Sequence, residues 1–107
     1  MENKDLRVLY KEVNKDAREM IIKDDLEVLH KLVGGYIEVC SLSDDIDIIC
    51  NEEGKLMGLQ PNINLDYDII VGNIIFVSHK DAEFESLTDE QIKYILRELK
   101  FRDIMYL

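Results

Sequence analysis

The stretch Asn51-Glu52-Glu53-Gly54-Lys55-Leu56-Met57-Gly58-Leu59-Gln60-Pro61-Asn62 crowds together side chains able to hold a small polar ligand. It leaves an apolar strand-like run, turns at a glycine and presents amides, a carboxylate and an ammonium within a short irregular segment. Polar groups on a loop held by rigid strands are the usual substance of binding sites. Asn and Gln amides both donate and accept, as the edges of bases and sugars require, and a lysine supplies a point charge for a phosphate. The expected ligand-binding set is therefore Asn51, Glu52, Gly54, Lys55, Gln60 and Asn62, with Tyr36 beside it. The segment is not a Walker motif, because its second glycine and the required Ser/Thr are misplaced. The plainer alternative is a turn in which Gly54 satisfies the backbone geometry and the polar residues are there by default.

Arrangements for catalysis are poor. No Ser-His-Asp spacing, H-E-x-x-H or Gly-x-Ser-x-Gly occurs. His30 follows Leu29 close to the apolar stripe of a helix, and His79 ends a strand, so neither is placed as a base. Asp44-Asp45-x-Asp47 offers oxygens that suit calcium but lacks the glycine and distal glutamate of an EF-hand loop. Cys40 and Cys50 sit in apolar strand-like runs and read as small buried hydrophobes in a reducing compartment. They could face each other across a hairpin. Their separation from His30 and His79 argues against a structural zinc site, which favours paired ligands at short spacing. No cofactor or metal is expected on these grounds, and an enzyme acting on a phosphodiester, with His30 or His79 as its base, is the least supported of the readings left open.

Charge narrows the partners. With 13 basic and 23 acidic residues the formal net charge is −10. General nucleic-acid binding is excluded, since it rests on Lys and Arg neutralising phosphates, and so is adhesion to an anionic membrane surface. The charge is uneven. Between Leu32 and His79 there are eight acids (Glu38, Asp44, Asp45, Asp47, Glu52, Glu53, Asp66 and Asp68) and one base, Lys55. That segment suits either solvated turns or an acidic face docking on a basic partner. Lys93, Arg97 and Lys100, at i, i+4 and i+7, share one face of a helix. Lys93 and Arg97 join the candidate set as a local anion-receiving stripe, against the plainer reading of a solvent-facing side.

The elements that must position these residues follow from periodicity and turn chemistry. Leu6 to Tyr10 and Glu19 to Lys23 read as strands of a hairpin. A helix follows, with Asp24 as cap, Glu27 completing a capping-box-like pattern, and Leu26, Leu29, Leu32 and Val33 on one face. Gly34-Gly35 stops it. Tyr36 to Leu42 and Ile46 to Asn51 form a second hairpin around Ser43-Asp44-Asp45. Asp68 to Ser78 reads as one long central strand covered on both faces, with Gly72 marking a bulge or a close backbone approach. Ala82 to Ser86 is a short edge strand. Thr88, with Gln91 in the capping-box position, opens a last helix whose stripe is Ile92, Ile95, Leu96 and Leu99. The tail from Phe101 to Leu107 is apolar, so either the helix continues and packs or the tail docks on a second subunit.

The order β-β-α-β-β-β-(β)-α defines an α+β fold, with a mostly antiparallel sheet and two helices, in one domain spanning 1–107. The polar N-terminus carries no secretory signal. No apolar run approaches the ~20 residues a membrane helix needs. A soluble, cytoplasmic protein is expected, with no membrane partner and with a homo-oligomer favoured by its small core.

Lys31-Leu32-Val33-Gly34-Gly35-Tyr36-Ile37-Glu38-Val39, Asn51-Glu52-Glu53-Gly54-Lys55 with Gly58-Leu59 and Pro61-Asn62, Asp68-Ile69-Ile70-Val71-Gly72 and Phe84-x-Ser86-Leu87-Thr88-Asp89-Glu90-Gln91 together make a signature. Over residues 6–95 the chain resembles a domain-of-unknown-function family of small phage, plasmid and gut Firmicutes proteins. Asn73 stands where that family has a small residue, and the tail from Phe101 is extra. The resemblance implies a mobile-element accessory protein acting in a bacterial host cell. Such a protein would sequester a nucleotide-derived immune signal without cleaving it. The alternative is an acidic, DNA-like inhibitor of a host defence protein, using Asp44, Asp45, Asp47 and Glu52.

Overall fold

The computed structural model describes residues 3–105. Eight strands and two helices occur among them: β1 Asp5–Lys11, β2 Arg18–Lys23, α1 Leu26–Val33, β3 Ile37–Ser41, β4 Ile46–Asn51, β5 Pro61–Asn64, β6 Ile69–Val71, β7 Ile74–Lys80, β8 Glu83–Glu85 and α2 Asp89–Arg102. The main sheet is antiparallel with strand order β2-β1-β7-β4-β3, and β8 pairs the far end of β7. This is the α+β architecture expected from the element order. No helix among the described residues is long and apolar enough to cross a membrane.

Side chains alternate across a strand, so a sheet with two covered faces has two apolar sets. Val8, Tyr10, Ile49, Ile75 and Val77 face one way and pack with Leu29 and Val33 of α1. Leu9, Ile48, Cys50, Ile74 and Phe76 face the other way, against Ile92, Ile95 and Leu99 of α2 and Ile63 and Ile70 of the small β5–β6 sheet. Central β7 is buried on both faces from Ile74 to Ser78. β4 is buried on both faces too, with only Asp47 partly open. The wet face expected for its hairpin is confined to β3.

The helix caps show why the helices start where they do. Asp25, not Asp24, caps α1, its carboxylate accepting from the Glu27 N–H at 3.0 Å, and Gly34 closes the helix at φ +83°. Thr88 and Gln91 form the reciprocal capping box of α2, at 3.1 and 2.9 Å. The run read as one strand from Asp68 to Ser78 is broken. Gly72, at φ +77°, turns the chain between β6 and β7, and a Cβ there would lie 2.8 Å from Leu59 Cδ1. That break lets residues 61–71 fold back as the β5–β6 pair, two elements that strand-period reasoning did not separate.

The tail is tied down through its backbone, while the Phe101 and Met105 side chains stay exposed. α2 runs to Arg102, Asp103 bridges to Ile63, and the Ile104 N–H donates to Asn62 O at 3.0 Å. Tyr106 and Leu107 lie outside the described residues. Where the tail meets the sheet, the Lys11 ammonium is wholly buried. It sits 2.8 Å from Asp103 Oδ1 and donates to Asn62 Oδ1 at 2.6 Å. Asn62 donates in turn to Lys11 O at 3.0 Å and Gly72 O at 2.8 Å. A buried charge that loses its counter-charge is costly. Asp103→Ala should therefore lower unfolding free energy by about 3–5 kcal/mol in urea titration, with Asp103→Asn, which keeps an acceptor, falling in between. An Asp103→Ala protein as stable as the parent would show that this ion pair does not hold the tail.

Candidate functional site

The loop after β4 is built around Asn51. The Asn51 side chain is buried, with Nδ2 donating to Val33 O at 3.2 Å and Oδ1 accepting from the Glu53 N–H at 2.8 Å. Met57 Sδ lies 3.6 Å from the same Nδ2. Asn51 thus ties the end of α1, the start of the loop and its middle together. Gly35 is needed beside it, because a Cβ there would lie 3.0 Å from Asn51 Nδ2. Gly54 also serves close approach, since its Cβ would meet Val71 Cγ2 at 2.7 Å, whereas the left-handed turn of this loop falls at Gly58. The turn requirement expected at Gly54 is therefore a packing requirement.

This loop separates two cavities. The larger, of about 330 Å3, is a cleft on the α1 side, between the end of α1, the end of β1 and the chain at 57–60 and 72–73. Leu32, Val33 and Leu59 give it an apolar floor, and Asn51, Gln60 and Asn73 bring amides to it. Lys31 is the charged residue among its lining. Asn73 Oδ1 already accepts from the Val13 N–H at 3.0 Å, and Tyr10 Oη donates to Leu32 O at 2.6 Å. The groups left to meet a ligand are chiefly the Lys31 ammonium and the Gln60 amide, both exposed. The cleft adjoins the C-terminal end of α1, whose carbonyls carry partial negative charge.

The smaller cavity, of about 210 Å3, is lined by Glu38, Cys50, Asn51, Glu52, Lys55, Leu56 and residues 68–71. Lys55 Nζ is bonded to Asp68 Oδ1. That bond raises the Lys55 pKa and lowers that of Asp68. Glu38, Cys40 and Cys50 cluster here too. Burial pushes the Cys50 thiol up to about 12 and raises Cys40 as well.

The structure thus brings Asn51, Glu52, Gly54 and Lys55 together, with Gln60 across the loop in the larger cleft. Tyr36 is exposed and stacks edge-on with His30, ring centroids 5.4 Å apart. Asn62 is elsewhere: it is fully buried and its amide is spent on Lys11 and Gly72. Lys93 and Arg97 line neither cavity. His79 Nδ1 sits 3.0 Å from Asp47 Oδ1, away from both. Lys31 and Asn73 were missed as site residues. Lys31 carried a signal, since a lysine in the last helical turn before Gly34-Gly35 must lie where the chain re-enters the sheet.

The fold and these cavities define an α+β protein whose glycines and buried amides shape the loop between the two cavities. A family model described as a domain of unknown function, DUF3846, matches residues 6–100, and the chain belongs to that family. No curated protein and no solved structure matches the chain.

The raised thiols give a direct test of this geometry. The thiolate is the reactive form. Iodoacetamide at pH 8 should modify the folded protein far more slowly than the urea-unfolded chain. The folded-state rate should still be climbing at a pH where the rate of the unfolded chain has levelled off, as raised thiols require. Equal rates in both states would show that neither thiol is shielded.

Proposed function

We propose that this protein binds and sequesters a small nucleotide-like ligand in the α1-side cleft, without converting it. The observation that carries the reading is the pairing of an apolar floor with an ammonium and a side-chain amide at the rim of that cleft. Flat heterocycles take the apolar surface, amides read their edges, and Lys31 meets a phosphate. A volume of about 330 Å3 suits one nucleoside unit better than an extended oligonucleotide. The nearby carbonyl end of α1 and the acidic middle of the chain disfavour several phosphates. The ligand class is thus a nucleoside carrying one phosphate or one phosphodiester. In a phage-like accessory protein that class includes nucleotide-derived immune signals of the host.

The acidic-inhibitor reading has less support. Asp44 and Asp45 flank one end of β4 and Glu52 the other, while Asp47 is paired with His79. These four carboxylates do not make one continuous face.

Calorimetric titration with adenine mononucleotides and cyclic adenine nucleotides tests the proposal. Binding is expected with the ligand recovered chemically intact. Lys31→Ala should weaken it about tenfold, the equivalent of one lost phosphate contact, and Gln60→Ala by less, against an unaltered affinity in Lys80→Ala. Absence of both heat and thermal shift with every nucleotide, or recovery of a cleaved product, would overturn it.

A further inference from the structure

The face of β3–β4 away from α1 carries a second site. Strand pairing sets Glu38 opposite Cys50 and Cys40 opposite Ile48. Glu38, Cys40 and Cys50 therefore project from one face as direct and diagonal cross-strand neighbours, although nine residues lie between the two cysteines in sequence. A Glu38 carboxylate oxygen and the two Sγ atoms all lie within 4.8 Å of one another. Tetrahedral coordination with Zn–S and Zn–O bonds of ordinary length would hold them roughly 3.5–3.8 Å apart. Modest side-chain rotation closes that difference. The cluster is layered from inside out: Cys50 is buried, Cys40 half-buried and Glu38 exposed. The smaller cavity opens beside it, with the Asp68 carboxylate and Lys55 at its rim.

We infer that Cys40, Cys50 and Glu38 form a binding site for a thiophilic divalent cation of the zinc class. The donor set is two sulfurs and a carboxylate, which selects against calcium and magnesium. The fourth position is left to water from the adjoining cavity. Binding forms two metal–sulfur bonds and one metal–oxygen bond. The two S–H protons pass to solvent and nothing is oxidised or reduced. The cation, two thiolates and one carboxylate leave one net negative charge, and the Lys55 ammonium stands beside it to offset that charge. A metal here would clamp the β3 edge onto β4. This site does not depend on the nucleotide reading, since the α1-side cleft opens on the other side of the loop.

Titrating the full, metal-free chain with Co2+ under a non-thiol reductant tests the inference, followed by competition with Zn2+. The expected result is a one-to-one complex with sulfur-to-cobalt charge-transfer absorption and the intense visible bands of a tetrahedral ion, both bleached by Zn2+. Cys40→Ser should remove about half the charge-transfer intensity and weaken binding at least tenfold. Glu38→Gln should keep that intensity, shift the visible bands and weaken binding. Since Cys50 is packed in the core, Cys50→Ser is read only alongside circular dichroism, and the exposed Glu38 and half-buried Cys40 carry the test. No charge-transfer band at millimolar Co2+ in the reduced chain overturns the site. So does a band unchanged in Cys40→Ser, or thiols that close to a disulfide in air and take no metal when reduced.

Discussion

A lysine ammonium with no access to water sets the terms for one end of this molecule. Taking that charge out of solvent costs several kcal/mol unless a counter-charge and oriented dipoles replace the lost water. Asp103 supplies the charge and Asn62 the dipole. Meeting that demand has structural consequences. Asn62 can reach Lys11 only if the chain folds back after the loop, which requires β5. Asp103 can reach it only if α2 runs its full length across the sheet. Gly72 O accepts from the same amide, so the break between β6 and β7 belongs to the same cluster. One buried cation thus coordinates the end of β1, the small sheet and the C-terminal helix.

The main sheet also divides the chemistry. α1 and the larger cleft lie on one face, and α2 with its Lys93, Arg97 and Lys100 stripe lies on the other. A net charge of −10 therefore says little about any single site. What matters is which cation shares a face with which cavity, and strand alternation decides that. Lys31 and Lys55 each border a cavity, whereas Lys93, Arg97 and Lys100 line neither.

Local signals were legible in the sequence. Both hairpins, both helices, the Gly34 stop and the Thr88–Gln91 capping box rest on interactions within a few residues, and those leave a pattern. The β5–β6 pair did not show, because Pro61 and Gly58 look like breakers until Gly72 is seen to turn the chain at positive φ. Burial of Lys11 could not be read either, since a strand-ending lysine is ordinarily solvated. The candidate loop was found by composition, but composition does not say whom an amide serves. Asn51 and Asn62 have the right groups for a ligand, but Asn51 spends them on the Val33 carbonyl and the Glu53 N–H, and Asn62 on two backbone carbonyls and a buried ammonium. Glu38, Cys40 and Cys50 illustrate the converse. Their proximity is written in the register of two strands, which spacing along the chain hides.

The placement of β7 has a bearing on how the chain is made. It is the seventh strand in sequence and the central one in space, lying between β1 and β4. During synthesis the two N-terminal hairpins emerge first with α1 between them, each with an edge that β7 will later occupy and an apolar face that only β5, β6 and α2 will cover. Until residues 74–80 leave the ribosome the sheet has no middle. The nascent chain is then two sticky ribbons, the state in which edge-to-edge association competes with folding. The fold is therefore completed late and all at once, and a chain cut short before β7 has no smaller native structure to fall back on.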